Sequence, residues 1–451
     1  MRAAQVLVGL GLLLMACADS HGRRRRASEA DAAPAVDAET ADANDVLTSC
    51  RTTCDAPALI GRYDGGFDAR VWAVLDAARI GSVLGVLVMR QPQDADPNRD
   101  WYSYGLLRFE LTTGEATLTN PVETFLVDNA MVGGALVARE ARFEAIVLRS
   151  SARNREDGVA EVGRLVWSVN GALLHADDVG SLSAPLAPCR DCTRLGGVFA
   201  AGDEAIVGVA HGDGVQGGLV NLGDGRLREL GQMVSYPGER RDTVPLSGVV
   251  LTSNQVAVVG GGGRRIGQQT EAYAAWGPFG GAPLVAVRLP GDEADPPPAI
   301  GSIDDAPVAW RYVSDPSDIL AGAIVGWRLG RDGALGEIAR IPTALGLFPS
   351  DFIATEGTHG TAALVWAERP TGSGAELRVL FADAALCSTA VPHTPLVFPQ
   401  PPYATLEQGR GGLAVTADEA GTFVVAQGVD DGGITTAFMV PNCRLERTAE
   451  R

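Results

Sequence analysis

Apolar positions in the body of the chain come in short runs separated by turns, not at the i, i+3, i+4 spacing of an amphipathic helix. The segments VLGVLVMRQ, FEAIVLRSS, DEAIVGVAH, NQVAVVGGG, DAPVAWRYV, TAALVWAER and GTFVVAQGV are each rich in Val and Ile. At about four to six apolar residues apiece they are the length of buried strands and too short for buried helices. Strand–turn–strand units follow them: LLRFELTTGEATL, RLVWSVNGALLHA, GLVNLGDGRLREL and IVGWRLGRDGALGEIARI, with more worn copies in RVLFADAALCSTAV and AFMVPNCRLERTA. Gly114, Gly171, Gly225 and Gly333 mark the turns of the first four. Asn-Gly and Asp-Gly at such places supply the positive φ that tight hairpins require.

The turns recur every 54–57 residues or twice that, and the worn copies turn near Leu386 and Cys443, 53 and then 57 residues further on. LVAVRLPGD, turning near Gly291, fills the one gap, late by about a dozen residues for this period. Most Val/Ile runs are also preceded by a turn and another apolar run, as in GVFAAGDEAIVGVA and GVVLTSNQVAVV. Each unit therefore holds four strands in meander order, with seven units between about Leu59 and the C-terminus. Repetition on this scale predicts an all-β fold, a β-propeller of seven four-stranded blades. A pair of β-sandwiches would not sustain one period throughout, and the lack of an amphipathic helix argues against α/β folds. An N-terminal strand is available for closure.

Two propeller families are resembled in part. VAVVGGGG followed by Tyr273 and Trp276 resembles the kelch pattern, with a shorter Tyr–Trp spacing and without the double glycine in the other units. FELTTGEATL resembles the strand–turn–strand of pyrroloquinoline-quinone-type repeats, without the docking tryptophan of that family.

The N-terminus has a different pattern. After Arg2, residues Val6 to Ala16 form an uncharged apolar run of eleven. A membrane span needs about 20 such residues, whereas a signal-peptide core is this length. The run closes on Leu14-Met15-Ala16-Cys17, which resembles the lipobox of bacterial lipoproteins. The resemblance implies cleavage before Cys17 and a lipid on its thiol, and hence an anchor in the cell envelope, at the outer membrane or on its periplasmic face. Arg23–Arg26 oppose this reading, because early positive charge hinders translocation. From Ala27 to Asp45 six acids stand without one base or aromatic, a composition that does not fold alone. The expected organisation is a signal peptide over 1–16, a disordered Ala/Asp-rich tether over 17–58 and the propeller over 59–451.

Charge then limits the partners. All 37 basic residues are arginine, and the net charge is −18. A surface this acidic repels nucleic acid, whose binding rests on phosphate neutralisation. Contact with a membrane is expected through the lipid anchor only, and the chain is expected to be monomeric.

Six cysteines remain after Cys17, an even number suited to an oxidising compartment. The expected use is three structural disulfides: Cys387 with Cys443, and Cys50–Cys54 and Cys189–Cys192 as local loops, with cross-pairing left open. A four-thiolate zinc site from the two close pairs is the alternative. Histidines 21, 175, 211, 359 and 393 have no partner at metal-ligand spacing, and no G-x-S-x-G elbow occurs. VVGGGGRRIG lacks the Gly-Lys-Ser/Thr of a phosphate loop, and DADPNRD (Asp94–Asp100) lacks the glycine and glutamate of a calcium loop. No catalytic residue, metal or cofactor is predicted.

A register argument does suggest a site. Aligned on their last apolar residue, the seven Val/Ile strands are followed by Arg90, Arg149, Ala210, Gly260, Arg311, Ala367 and Gln427. Equivalent blade positions ring one face of a propeller, so Arg90, Arg149, Arg311 and Gln427 are candidates for binding a carboxylate or phosphate. The competing reading is that each caps its own strand. WYSYG (Trp101–Gly105) is a second candidate surface, explained equally well by strand packing. The functional expectation is an envelope module that binds or scaffolds a protein or an acidic glycan. The alternative is a propeller-fold glycan hydrolase or lyase with its site in the central funnel, since propellers host both.

Overall fold

The computed structural model describes residues 50–53, 57–65, 71–90, 101–120, 122, 126–128, 133–149, 159–183, 196–211, 214–236, 246–251, 255–261, 264–265, 268–269, 271–278, 281–291, 298–315, 318–330, 333–342, 350–356, 362–368, 376–382, 396–397, 412–427, 434–441 and 444–447. Among them every regular element is a β-strand. Five four-stranded sheets and two five-stranded sheets are accompanied by two short ribbons. The four main strands of each large sheet run antiparallel, and the second of them is one of the Val/Ile runs.

In chain order the first sheet holds Val71–Ile80, Val83–Arg90, Trp101–Glu110 and Ala116–Leu118, with Leu126–Asp128 also beside the third strand. Next comes Gly134–Arg139, Arg142–Arg149, Val159–Ser168 and Leu173–Ser183, then Gly196–Ala201, Glu204–His211, Gly214–Asn221 and Leu227–Ser235. Leu246–Leu251, Val256–Gly260, Tyr273–Gly277 and Val287–Arg288 follow, and then Ala299–Ile303, Ala306–Asp315, Asp318–Leu329 and Leu335–Pro342. The sheet after these holds Ser350–Glu356, Ala362–Glu368, Glu376–Ala382 and Leu396–Val397. Leu413–Asp418, Gly421–Gln427 and Thr435–Val440 make the last sheet, completed by Ala58–Tyr63 from the start of the fold.

The innermost strands neighbour one another in chain order, and Leu413–Asp418 returns to Val71–Ile80. The ring is thereby closed, with the first described strands and the last sharing a sheet. Arg79 of the first inner strand pairs with Asp418 and lies over the Phe423 ring, 5.2 Å from its centroid. Sheets face one another through apolar layers, so a second strand covered on both sides is buried along its whole length, as in Val83–Arg90 and Gly421–Gln427. That is why these strands read as continuous Val/Ile runs and not as alternating ones. Trp167, Trp310, Phe109, Phe143 and Phe423 are fully enclosed in these layers.

The turn glycines behave as expected. Gly114, Gly171, Gly225 and Gly333 take φ of 73°, 85°, 70° and 83°. Turns between inner and second strands use the same region, and at Asp304 and Asp305 both residues are left-handed, at 49° and 58°.

Three expectations need correction. The irregular unit does not turn near Gly291. Its outer strand, Val287–Arg288, pairs with Tyr273 and Ala274 and ends before that glycine, while Leu284–Val285 pairs in parallel with Val234–Ser235 of the preceding sheet. The chain's excursion to a neighbouring sheet is what makes this copy look late. The described strands on either side of Cys443 do not pair with each other either. Thr435–Val440 pairs with Ala58–Tyr63, and Arg444–Arg447 pairs with Cys50–Thr53. This last ribbon also brings residues assigned by composition to the tether into the folded body. The turn expected near Leu386 lies outside the described residues.

Candidate functional site

In a meander, connections alternate between the two ends of a sheet. One end carries the inner-to-second turns, two residues each at 81–82, 140–141, 202–203, 304–305 and 419–420, and the third-to-fourth connections, compact at 111–115, 169–172, 222–226 and 330–334 and longer at 278–286 and 383–395. The other end carries the second-to-third connections, long at 91–100, 150–158, 261–272 and 369–375, and the links between sheets. Long connections on a rigid ring are where binding residues concentrate. Most of these connections lie outside the described residues.

The ring positions read from sequence belong to this loop-bearing end. Val71, the first residue of an inner strand, faces Arg90, and Leu246 faces Gly260. Arg311 and Gln427 each lie one residue beyond Trp310 and Ala426, the partners of Ala299 and Leu413. Arg149 lies two beyond Val147, the partner of Gly134.

Their side chains do different things. Arg311 is 1% exposed, and its Nη1 donates to the carbonyls of Pro290 at 3.0 Å and Leu289 at 3.4 Å. Its strand continues to Asp315, so it sits within the strand and not at its end. Gln427 is buried, and its Nε2 donates to the carbonyl of Val71 in the adjoining sheet. Both thus hold neighbouring segments together. Arg90 is 6% exposed, and its Nε has no acceptor. Desolvation lowers its pKa, opposed by the nearby Tyr63. Burial raises the Tyr63 hydroxyl, and the charge of Arg90 pulls it back. The side chains of Arg149, Ala210 and Ala367 lie outside the described ones, as do Cys17, Cys54, Cys189, Cys192, Cys387 and Cys443 entirely. Cys50 is described through its backbone, paired with Arg447. In WYSYG, Tyr104 is fully buried and bridges to the carbonyls of Leu148 and Gly133 in the next sheet. At this position, packing explains the aromatic.

Three polar features escape the sequence reading. A register shift between Val74 and Asp76 lets the Asp76 carboxylate accept Leu136 N–H of the next inner strand at 2.7 Å and Ala77 N–H at 2.8 Å. Asp76 keeps some solvent contact, yet desolvation pushes its carboxyl up to about 7, against the pull of those two amides. Glu144 is fully enclosed and meets Arg164 Nε at 2.6 Å. Finally, long donors on third strands clasp the next sheet's compact turn: Arg108 to Asn170 O at 3.2 Å, Arg164 to Leu222 O at 3.0 Å and Trp276 to Gly330 O. Aligning Arg108 and Arg164 on their turn glycines would have exposed the clasp, since both precede the glycine by about one strand length.

Among the described residues no group of three His, Cys, Asp or Glu side chains is placed to hold a metal. His175 lies exposed on an outer strand. No helix among the described residues is long and apolar enough to cross a membrane.

No protein-family model matches the chain, and no curated protein matches it in sequence. Solved structures match through their folds. The Dos1 propeller matches at TM-score 0.43 and 10% identity, over 85% of this chain and 95% of that one. The β-propeller domain of the Trilobed protease from Pyrococcus furiosus matches at 0.41 and 9%, over 83% and 94%. A GH43 β-xylosidase/α-arabinofuranosidase from a compost microbial metagenome matches at 0.32 and 10%, over 62% and 98%. Likeness this distant bears on no activity. The closed ring of antiparallel meanders in the chain itself makes it an all-β propeller.

Proposed function

We propose that this chain is a lipid-anchored β-propeller of the bacterial cell envelope whose loop-bearing face binds a protein or an acidic glycan. The observation that carries the reading is the state of Arg90, at the end of the sheets that bears the second-to-third connections. Arg90 is a nearly buried cation whose Nε has no acceptor. A guanidinium held in that state suits a carboxylate or phosphate oxygen. Arg149, which follows the Val/Ile run of the adjoining sheet as Arg90 follows its own, is the second contact on this reading. Each sheet of four or more strands counts as a blade on this reading, giving seven. Anchoring is read from the Leu14–Cys17 sequence, and multiple acylation would hold the protein firmly where one chain would not.

The glycan-enzyme alternative needs converging carboxyls of shifted pKa. Asp76 is a carboxyl of that kind, but both its oxygens already accept backbone amides. Labelling an expressing bacterium with a lipid precursor tests the anchor. Label and membrane retention should both disappear in Cys17→Ser, and a variant that keeps them would refute lipidation at this residue.

A further inference from the structure

The first described strand and the last meet in a two-stranded ribbon. Cys50–Thr53 runs antiparallel to Arg444–Arg447, with Cys50 facing Arg447 and Thr53 facing Arg444. A second ladder joins the same two parts of the chain, with Ala58 facing Met439 and Leu59 facing Phe438. Four residues separate Thr53 from Ala58, and four separate Met439 from Arg444. The two ladders therefore share one register, with spacers of equal length between them. Cys54, next to Thr53, matches Cys443, next to Arg444.

We propose that Cys54 and Cys443 form a disulfide that welds the first described strand to the last. Facing residues of an antiparallel pair have Cα atoms about 4.5–5.5 Å apart, inside the window of about 4.4–6.8 Å that a disulfide spans. The local alternative, Cys50 with Cys54, fares worse. Cys50–Thr53 is extended, so Cys50 lies roughly 10 Å from Thr53 and is carried away from the residue that follows it. Cys50 faces Arg447 and has no thiol opposite. The bond would close a loop containing nearly the whole ring, where a cross-link restricts the unfolded chain most. It would also secure the large sheet completed by Ala58–Tyr63, which is likewise built from distant parts of the sequence.

The proposal rests on the export reading only for its oxidant. A disulfide of the envelope's thiol-oxidising proteins takes two electrons from the two thiols by exchange. An S–S bond forms between Cys54 and Cys443, the oxidant becomes a dithiol, and the cysteine protons pass to solvent as each thiolate forms.

Tryptic mapping without reduction reads the pairing directly. Cleavage after arginine puts Cys50 in peptide 27–51, Cys54 in 52–62, Cys387 in 379–410 and Cys443 in 411–444. Two preparations of the full chain are mapped: one from the envelope of an expressing bacterium, and one made in a reducing cytosol and oxidised with glutathione disulfide. The expected product in both is 52–62 joined to 411–444, released by a phosphine. Reduction should also lower the thermal midpoint by several degrees in wild type and leave the Cys54→Ser/Cys443→Ser variant unmoved. Recovery of 411–444 joined to 379–410, of 27–51 joined to 52–62, or of both target peptides free after glutathione oxidation overturns the proposal. The expected link in the glutathione-oxidised sample alone would uphold the pairing and count against export.

Discussion

Glu144 has no exposed surface, and its carboxylate relies on the Arg164 guanidinium at 2.6 Å, while Oε2 has no partner. Removing one member of such a pair strands the other charge, a loss of about 3–5 kcal/mol. Arg164→Met should therefore lower unfolding stability by about that amount in urea titrations. Glu144→Gln combined with Arg164→Met should recover much of it. Asp76 makes the opposite kind of prediction. Its folded pKa of about 7 lies above the ordinary aspartate value near 3.9, so the folded state holds the proton more tightly. The resulting stabilisation is complete below about pH 4 and is lost as pH rises toward 7, by up to roughly 2–4 kcal/mol. Wild type should thus lose more stability between pH 4 and 7 than Asp76→Asn does, and parallel pH profiles would count against the assignment. Neither residue was legible in the sequence. The hydrogen bond of Asp76 depends on a register shift at Val74 and on a strand of another sheet. No local pattern records either.

Elements were legible where a local physical demand left a mark. Left-handed φ leaves glycine, and burial on both faces leaves an unbroken Val/Ile run, so the hairpins at Gly114, Gly171, Gly225 and Gly333 and the second strands could be read directly. Gly171 combines two demands: φ is 85°, and a Cβ there would lie 2.9 Å from Arg108 Cδ in the preceding sheet. Gly171→Ala should cost about 1–3 kcal/mol, through backbone strain and a disturbed clasp, as a lower urea midpoint at unchanged slope. A cost below about 0.5 kcal/mol would show that the turn relaxes freely. Partners distant in sequence left no such mark. Residues after Pro441 look like the second half of a hairpin, but their partner is the strand Cys50–Thr53. Leu284–Val285 looks like part of its own unit but pairs with the previous sheet.

At the scale of the whole molecule, closure joins the two ends of the fold in one sheet, and the second-to-third connections share one face. The period in the sequence predicted the ring, and the sequence alignment placed Arg90, Arg149, Arg311 and Gln427 at one end of their sheets. It could not divide those four by duty, because the acceptors of Arg311 and Gln427 are backbone carbonyls of other segments. Arg311→Ala should accordingly weaken the fold, while Arg90→Ala should leave it largely intact. The central claim is that the loop-bearing face is a binding surface for acidic ligands. Its most direct test is calorimetric titration of the full chain with polyuronate and sulfated oligosaccharides, comparing wild type with Arg90→Ala/Arg149→Ala at matched salt. Losing two charge-assisted contacts, at about 1.5–3 kcal/mol each, predicts at least a tenfold weaker dissociation constant and a shallower salt dependence. An affinity unchanged by the double substitution, in a variant that melts like wild type, would contradict the account.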